Sequence, residues 1–193
     1  MNLKQAQKAV GVKEDGRWGP VSANAIAAKM QRDGNYDFFD GLKLGRHFTL
    51  GEMIFSQTAA RRRIKNLPNG AQILSLVRLV RNVLDPVRAH FKKPVRVSSG
   101  FRGPQLNRAI GGSPRSQHSH GEAADISVSG VSVRQVCAFI RDNLEYDQLI
   151  YEFGRWTHVS YRKGRLRKQD LSAVKRRKWG RMRTVYLSGI GLS

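Results

Sequence analysis

Apolar residues recur along much of this chain at intervals of three and four residues, which is the spacing of one face of an α-helix. The longest such run covers residues 71–91 and predicts one amphipathic helix, or two helices joined at Pro86. Two shorter runs, within residues 3–12 and 23–30, predict a pair of helices on either side of a loop rich in glycine and aspartate. Thr49, three residues before a glutamate, has the form of a capping box and predicts another helix start.

Other segments alternate between apolar and polar residues, as β-strands do. Four strands are predicted, at residues 95–98, 124–128, 148–153 and 156–161. Ser132 is placed to cap a helix whose apolar positions follow it. Helices that precede hairpin-like strands favour an α+β fold, in which helices pack on a small antiparallel sheet beside a short N-terminal helical unit.

The length of 193 residues fits one ordinary domain and a small appendage. We expect a helical unit at residues 1–35, a linker at 36–46 and a main domain at 47–193. A hydrophobic fraction of 40% is enough for a packed core and excludes a wholly disordered chain. The single cysteine, Cys137, excludes an intrachain disulfide.

The charge of the chain is strongly basic. Lysine and arginine number 35 against 14 acidic residues, so the net charge is +21 and the surface attracts polyanions such as nucleic acid, acidic lipid or an anionic cell wall. Residues 162–193 carry 11 of the basic residues and one acid, and the strand-like residues 184–187 predict that this basic tail returns to the sheet. The N-terminus lacks the apolar run of a secretory signal, and no stretch approaches the ~18 apolar residues of a membrane span, so we expect a soluble protein.

Three side chains of the types that bind divalent metals stand in two parts of the sequence. His118 and Asp125 are close together, and His158 follows later. Two imidazoles and one carboxylate can hold zinc and leave a coordination position for water, whose pKa the ion lowers to roughly 7. Gly121 lets the chain turn between the first two side chains. A lone surface histidine is more often solvated than bound to metal, so these residues alone leave both interpretations open.

Three motifs in order carry a resemblance to a known family. They are the segment 97–107 with its Ser-Gly-Phe-Arg core, Ser116-x-His118-x-x-Gly121-x-Ala123-x-Asp125, and Trp156-x-His158. This set resembles the zinc D-Ala-D-Ala carboxypeptidases and L-alanyl-D-glutamate endopeptidases, which act on peptidoglycan. The resemblance covers residues 48–161, more than half of the chain.

The resemblance implies one zinc ion held by His118, Asp125 and His158. His120 competes as the first ligand, and we place it instead at the rim of the site as a substrate contact. The further candidates for substrate contacts are Ser116, Gln117 and Trp156. For Ser116 and Gln117, which come from the same loop, the alternative is an ordinary role in forming the turn.

A peptidase of this kind needs a carboxylate that accepts a proton from water and later delivers it to the leaving amine. Glu152 is the first candidate, since a single strand through residues 152–158 would place it on the face of His158. Some relatives place this acid three residues before the last histidine, where this chain has Arg155. Asp147 is the reserve candidate, although a turn acid is the more ordinary role for it.

Arg102 belongs to the first of the three motifs. The resemblance implies that its planar guanidinium is a fixed cation for a substrate carboxylate, or for the oxygen that becomes negative during the reaction.

The N-terminal loop contains Asp15-Gly16-Arg17-Trp18-Gly19-Pro20 and resembles the turn of a peptidoglycan-binding repeat. The match covers residues 3–32, about half of such a module. The alternative is a helical pair that only packs on the main domain.

The family resemblance implies a zinc peptidase that hydrolyses peptidoglycan stem peptides. Such a chain is similar to phage endolysins, which accumulate in the host cytoplasm and act at the bacterial cell wall. We expect a monomer that the anionic cell envelope attracts. One alternative is a non-catalytic wall-binding module. The other is a nucleic-acid-binding protein, since residues 175–179 combine four basic residues with a tryptophan, but the sequence shows no known nucleic-acid-binding motif.

Overall fold

The computed structural model of the chain describes residues 1–178 and 181–191. Trp179, part of the basic segment noted above, lies outside the described residues. Across the described ranges, none of the helices has the length and apolar character needed to cross a membrane. The α-helices are α1 (Leu3–Ala9), α2 (Pro20–Asp33), α3 (Leu50–Ile54), α4 (Gln57–Arg62), α5 (Gly70–Leu79), α6 (Asp85–Phe91), α7 (Pro104–Ala109) and α8 (Val133–Asn143).

The long apolar run forms one continuous helical stretch, in which α5 passes through a π-helical segment (Val80–Leu84) into α6. Pro86 falls in the first turn of α6. A proline has no N–H to donate, and its ring crowds the turn before it. The wider π turns end two residues before this proline, and the helical stretch continues past it.

The described residues form one sheet of six strands, ordered β1-β2-β4-β3-β5-β6. All neighbouring strands are antiparallel except β3 and β5, which are parallel. The predicted α+β fold is therefore confirmed, and the basic tail returns to the sheet as expected. The fifth strand has no counterpart among the predicted ones. The strands are β1 (Val95–Ser99), β2 (Ala123–Val128), β3 (Gln148–Glu152), β4 (Trp156–Ser160), β5 (Gln169–Lys178) and β6 (Arg181–Ser188).

The two faces of the sheet have different surroundings. Ala124, Ile126 and Val159 are buried in the core that the helices form with one face. Because successive side chains of a strand point to opposite faces, Asp125 and His158 lie on the other face. That face is the one that carries the polar side chains described below.

The N-terminal helices share the main hydrophobic core. Leu3 and Ile26 belong to the same buried cluster as the helices under the sheet. α2 packs closely on α5, where a Cβ on Gly70 would lie 2.8 Å from the backbone nitrogen of Asn24. Within residues 36–46, Phe39 is buried in this core as well. The division of the chain into a helical unit, a linker and a main domain stays a prediction.

Candidate metal centre

The three predicted metal ligands meet on the open face of the sheet. Asp125 in β2 pairs directly with His158 in β4, so their side chains are neighbours on one face. His118 comes from a 3-10 turn (Gln117–His120) that crosses this face. Gly121 ends the turn in the left-handed region, at φ 69°, and a Cβ there would meet the carbonyl oxygen of Gln72 at 2.5 Å. Glycine is therefore required where the chain turns from His118 towards β2.

The donor atoms of these three residues have the spacing of a zinc site. Nε2 of His118 lies 3.3 Å from Oδ1 of Asp125. Nδ1 of His158 lies 2.9 Å from the same oxygen and 3.2 Å from Nε2 of His118. Ligand atoms that are about 2.0–2.1 Å from a tetrahedral zinc ion are about 3.3 Å from one another. The residues present therefore fit a zinc ion.

His118 is held in the tautomer that a metal requires. Its Nδ1 lies 2.7 Å from the carbonyl oxygen of Gly100, and because a carbonyl only accepts, Nδ1 carries the proton and donates. The lone pair of the neutral ring is therefore on Nε2, which faces Asp125 and His158. Burial lowers the pKa of His118 and so favours this neutral form, although Asp125 opposes the shift.

Arg102 supports the cluster from the side. Its Nη2 donates to Oδ2 of Asp125 at 2.6 Å and lies 2.9 Å from Nε2 of His118, while its Nε donates to Ser99 at 2.7 Å. Burial would raise the pKa of Asp125, but the two histidines outweigh burial and hold that pKa far below its usual range. In this arrangement Arg102 contacts the predicted ligands, and its predicted contact with substrate stays a prediction.

An open cleft of about 430 Å³ lies over the cluster. Its lining includes the predicted ligands together with Arg102, Ser116, Gln117, Glu152 and Trp156. Sequence reasoning did not select several other residues that line it, among them Arg115, Gln148 and Tyr186. The cleft therefore joins most of the predicted site residues into one concave surface.

Glu152 reaches this cleft through a turn between two strands and not along a single strand through residues 152–158. Residues 153–155 form a turn between β3 and β4, with Phe153 at φ 53° and Gly154 at φ 68°. The turn places Glu152 directly opposite Trp156, on the face of His158. Burial is the main cause that raises the pKa of Glu152. Among the described residues, no hydrogen bond or ion pair engages its carboxylate.

Asp147 is committed to other contacts. Its carboxylate is almost fully buried, accepts two hydrogen bonds from the Arg167 guanidinium at 2.7 and 2.6 Å, and accepts one from Nε2 of Gln117 at 2.6 Å. It does not line the cleft. This geometry favours a structural role for Asp147 over the role of proton acceptor.

His120 is directed away from the other site residues. It lines a separate hollow together with Gln72 and Pro104 and is absent from the lining of the cleft. The structure thus does not bring His120 together with the cluster, although it stands two residues from His118.

A buried His-Asp-His cluster beside a cleft that holds an unpaired carboxylate defines the class of metal-dependent hydrolases. The family model of peptidase M15 matches residues 46–160, which is more than half of the chain. The chain belongs to the peptidase M15 family, whose members are zinc-dependent metallopeptidases. The predicted family is therefore confirmed, while the phage type and the N-terminal repeat stay predictions. A search of curated proteins gives no match.

Proposed function

We propose that this protein is a zinc-dependent peptidase that hydrolyses amide bonds in peptidoglycan stem peptides. The observation that carries the proposal is the near-tetrahedral spacing of three donor atoms, 2.9 to 3.3 Å apart, beside an open cleft. The family match supports the substrate class, since the M15 family suggests a peptidase that acts on peptidoglycan-like substrates.

The residues of the site have two separate roles, which are metal binding and proton transfer. His118, Asp125 and His158 would hold zinc, with the proton on Nδ1 of His118 donated to Gly100 so that Nε2 faces the ion. Zinc, when bound, supplies Lewis-acid polarisation of a carbonyl and lowers the pKa of a water molecule to roughly 7. Glu152 accepts the proton of the attacking water and delivers it to the leaving amine. Its raised pKa brings the carboxyl nearer to the pH at which both transfers are efficient.

The remaining cleft residues position the ligands and the substrate. Arg102 orients Asp125 through its 2.6 Å hydrogen bond. Ser116 and Trp156 both line the cleft, and we assign them contacts with the substrate chain. Gln117 lines the cleft as well, but its amide nitrogen is already bonded to Asp147, which leaves its amide oxygen for a substrate N–H.

The charge of the protein suits an insoluble, anionic substrate. A net charge of +21 concentrates the protein at the bacterial envelope by long-range attraction. We propose on this basis a cell-wall lytic role of the phage-endolysin type. The protein would then be made in the host cytoplasm and act at the wall.

Zinc analysis and wall digestion test the proposal. The wild type should contain one zinc ion per chain and release fragments from purified peptidoglycan, and His118→Ala should lose both the metal and the activity. Glu152→Gln should keep zinc and lose the activity. Zinc binding without any release of fragments would support a non-catalytic wall-binding module instead. Mass spectrometry of the released fragments identifies the bond, because each cut creates new termini.

A further inference from the structure

The cleft continues onto strands that lie outside the part of the chain matched by the family model. β5 and β6 follow residue 160, where that match ends. Ala173 of β5 is the register partner of Glu152, and Tyr186 of β6 is the partner of Ala173. These pairings create one row of side chains across four strands, in the order Trp156, Glu152, Ala173 and Tyr186. The small, buried Ala173 stands between Glu152 and the half-exposed ring of Tyr186, and both of these larger residues line the cleft.

Tyr186 interacts electrostatically with the proposed catalytic carboxylate of Glu152. Burial raises the pKa of its hydroxyl, and the charges of Glu152 and Asp125 raise it further. The hydroxyl therefore stays protonated at neutral pH, and Tyr186 contributes a neutral, flat surface with one donor to the cleft.

Lys175 lies one step further out on the same face. It follows Ala173 by two residues in β5, so both side chains point to the cleft side of the sheet. Its Nζ donates to Oγ1 of Thr184 at 2.9 Å and lies 5.1 Å from the ring centroid of Phe153. These contacts hold the ammonium group on the cleft face of the sheet, beyond Ala173, and leave donors available, since a lysine has three. Within the described residues it forms no ion pair with a carboxylate.

We propose that Tyr186 and Lys175 form a substrate subsite that binds a carboxylate-bearing segment of the peptide, on the side of Glu152 away from the metal centre. The inference rests on the proposed peptidase function. Lys175 pairs with the carboxylate, and the ring of Tyr186 packs against the aliphatic part of the same segment. Because both residues stand beyond the matched region, the subsite is a feature of this chain's own C-terminal hairpin.

The chemistry of the subsite favours a carboxylate over a phosphate. A single ammonium group balances the one negative charge of a carboxylate, whereas a phosphate monoester carries a charge of about −1.5 to −2 at pH 7. Arg176 does not add to this charge, because it follows Lys175 in the strand and points to the opposite face, and Arg177 shares the face of Lys175 but lies one step further from Tyr186.

Arg176 also provides a matched control. It is exposed like Lys175, adjacent in sequence and of equal charge, so Arg176→Gln changes the net charge by the same amount on the reverse face. The probe is a synthetic stem peptide with a free α-carboxyl group on its glutamyl residue, compared with the same peptide in which that carboxyl is an amide. Binding is measured by titration calorimetry in the Glu152→Gln background, in which cleavage does not interfere.

The background protein should bind the acid peptide about fivefold more tightly than the amide, the upper range for an exposed ion pair. Lys175→Gln should abolish this preference, and Arg176→Gln should keep it. Tyr186→Ala should weaken both peptides alike, and Tyr186→Phe should weaken neither by as much. A preference that survives in Lys175→Gln, or that falls equally in Arg176→Gln, overturns the subsite. The function test is separate: a preference without wall hydrolysis by the wild type would refute the peptidase and leave the subsite standing.

Discussion

The Asp147→Asn substitution separates a structural carboxylate from a catalytic one. In the wild type, the Asp147 carboxylate accepts two short hydrogen bonds from Arg167 and one from Gln117. An asparagine keeps one acceptor oxygen but turns an NH₂ group towards donors that already point inward. The buried position, 1% exposed, prevents water from replacing the lost bonds.

The size of the stability loss depends on how deeply Asp147 and Arg167 are buried. Removing one member of a buried ion pair costs about 3–5 kcal/mol, but the Arg167 side chain is 37% exposed and recovers part of its hydration. We expect a loss of about 2–3 kcal/mol in the free energy of unfolding, which for a chain of this size lowers the Tm by about 4–12 °C. The exposed pair of Arg141 and Asp142 gives the control, and Asp142→Asn should change the Tm little.

The pH dependence of this loss has a defined sign. Burial raises the pKa of Asp147, but the hydrogen bonds from Arg167 and Gln117 outweigh burial and lower it overall. A carboxylate with a lowered folded-state pKa contributes stability above its unfolded pKa of about 3.9, and the contribution disappears as pH falls through the folded pKa. The difference in Tm between wild type and Asp147→Asn should therefore be full at pH 7 and shrink below about pH 4. Calorimetry across this range measures it.

Activity measurements on Asp147→Asn show which of Asp147 and Glu152 is the proton acceptor. At a temperature where it is folded, Asp147→Asn should retain most of the wild-type wall hydrolysis. An Asp147→Asn protein with an unchanged Tm and no activity would refute our argument and make Asp147 the proton acceptor.

Three further predictions concern single residues. As the pH is lowered, the activity of the wild type should begin to fall at a pH above the usual glutamate pKa of about 4.3, because the base acts deprotonated and burial raises the pKa of Glu152. Rates measured from pH 4 to 8 with constant zinc content test this prediction. Cys137 should not react with a thiol reagent at pH 8 until the chain unfolds, because burial raises its pKa to about 11; rapid labelling of the native protein would contradict the buried position. Gly121→Ala should weaken zinc binding about tenfold or more, since the positive φ and the contact with Gln72 displace His118; unchanged zinc affinity in a chelator competition would contradict that reasoning.

The helices and most strands follow from local periodicity. The apolar run at residues 71–91 forms a helical stretch because its burial pattern matches the 3.6-residue period. The pattern did not predict β5, because residues 175–177 in its outer half are basic and exposed. Only the pairing with β3 and β6 makes that segment a strand. Tyr186 could therefore not be placed beside Glu152 from the sequence, although residues 184–187 read as a strand.

The site itself divides in the same way. The family resemblance implied His118, Asp125 and His158 as one set of ligands, and the structure brings them together. The partners of Arg102 and Asp147 did not follow from the sequence, because Asp125 and Arg167 are each about twenty residues or more away along the chain. Long-range pairing of charged side chains leaves no signal in the local sequence. A turn such as Phe153–Gly154 does leave one, because its glycine marks the turn.

The register of the central strands links the fold to the chemistry. Asp125 stands between Ala124 and Ile126, both of which are fully buried in the core. A slip of one residue in β2 would move Asp125 into that core and Ile126 onto the open face, at a cost in both apolar burial and buried charge. The same alternation that stabilises the sheet therefore fixes Asp125 opposite His158. Substitutions that weaken the apolar side of β2, such as Ile126→Ala, should for this reason lower zinc affinity as well as stability, even though the Ile126 side chain points to the opposite face of the sheet.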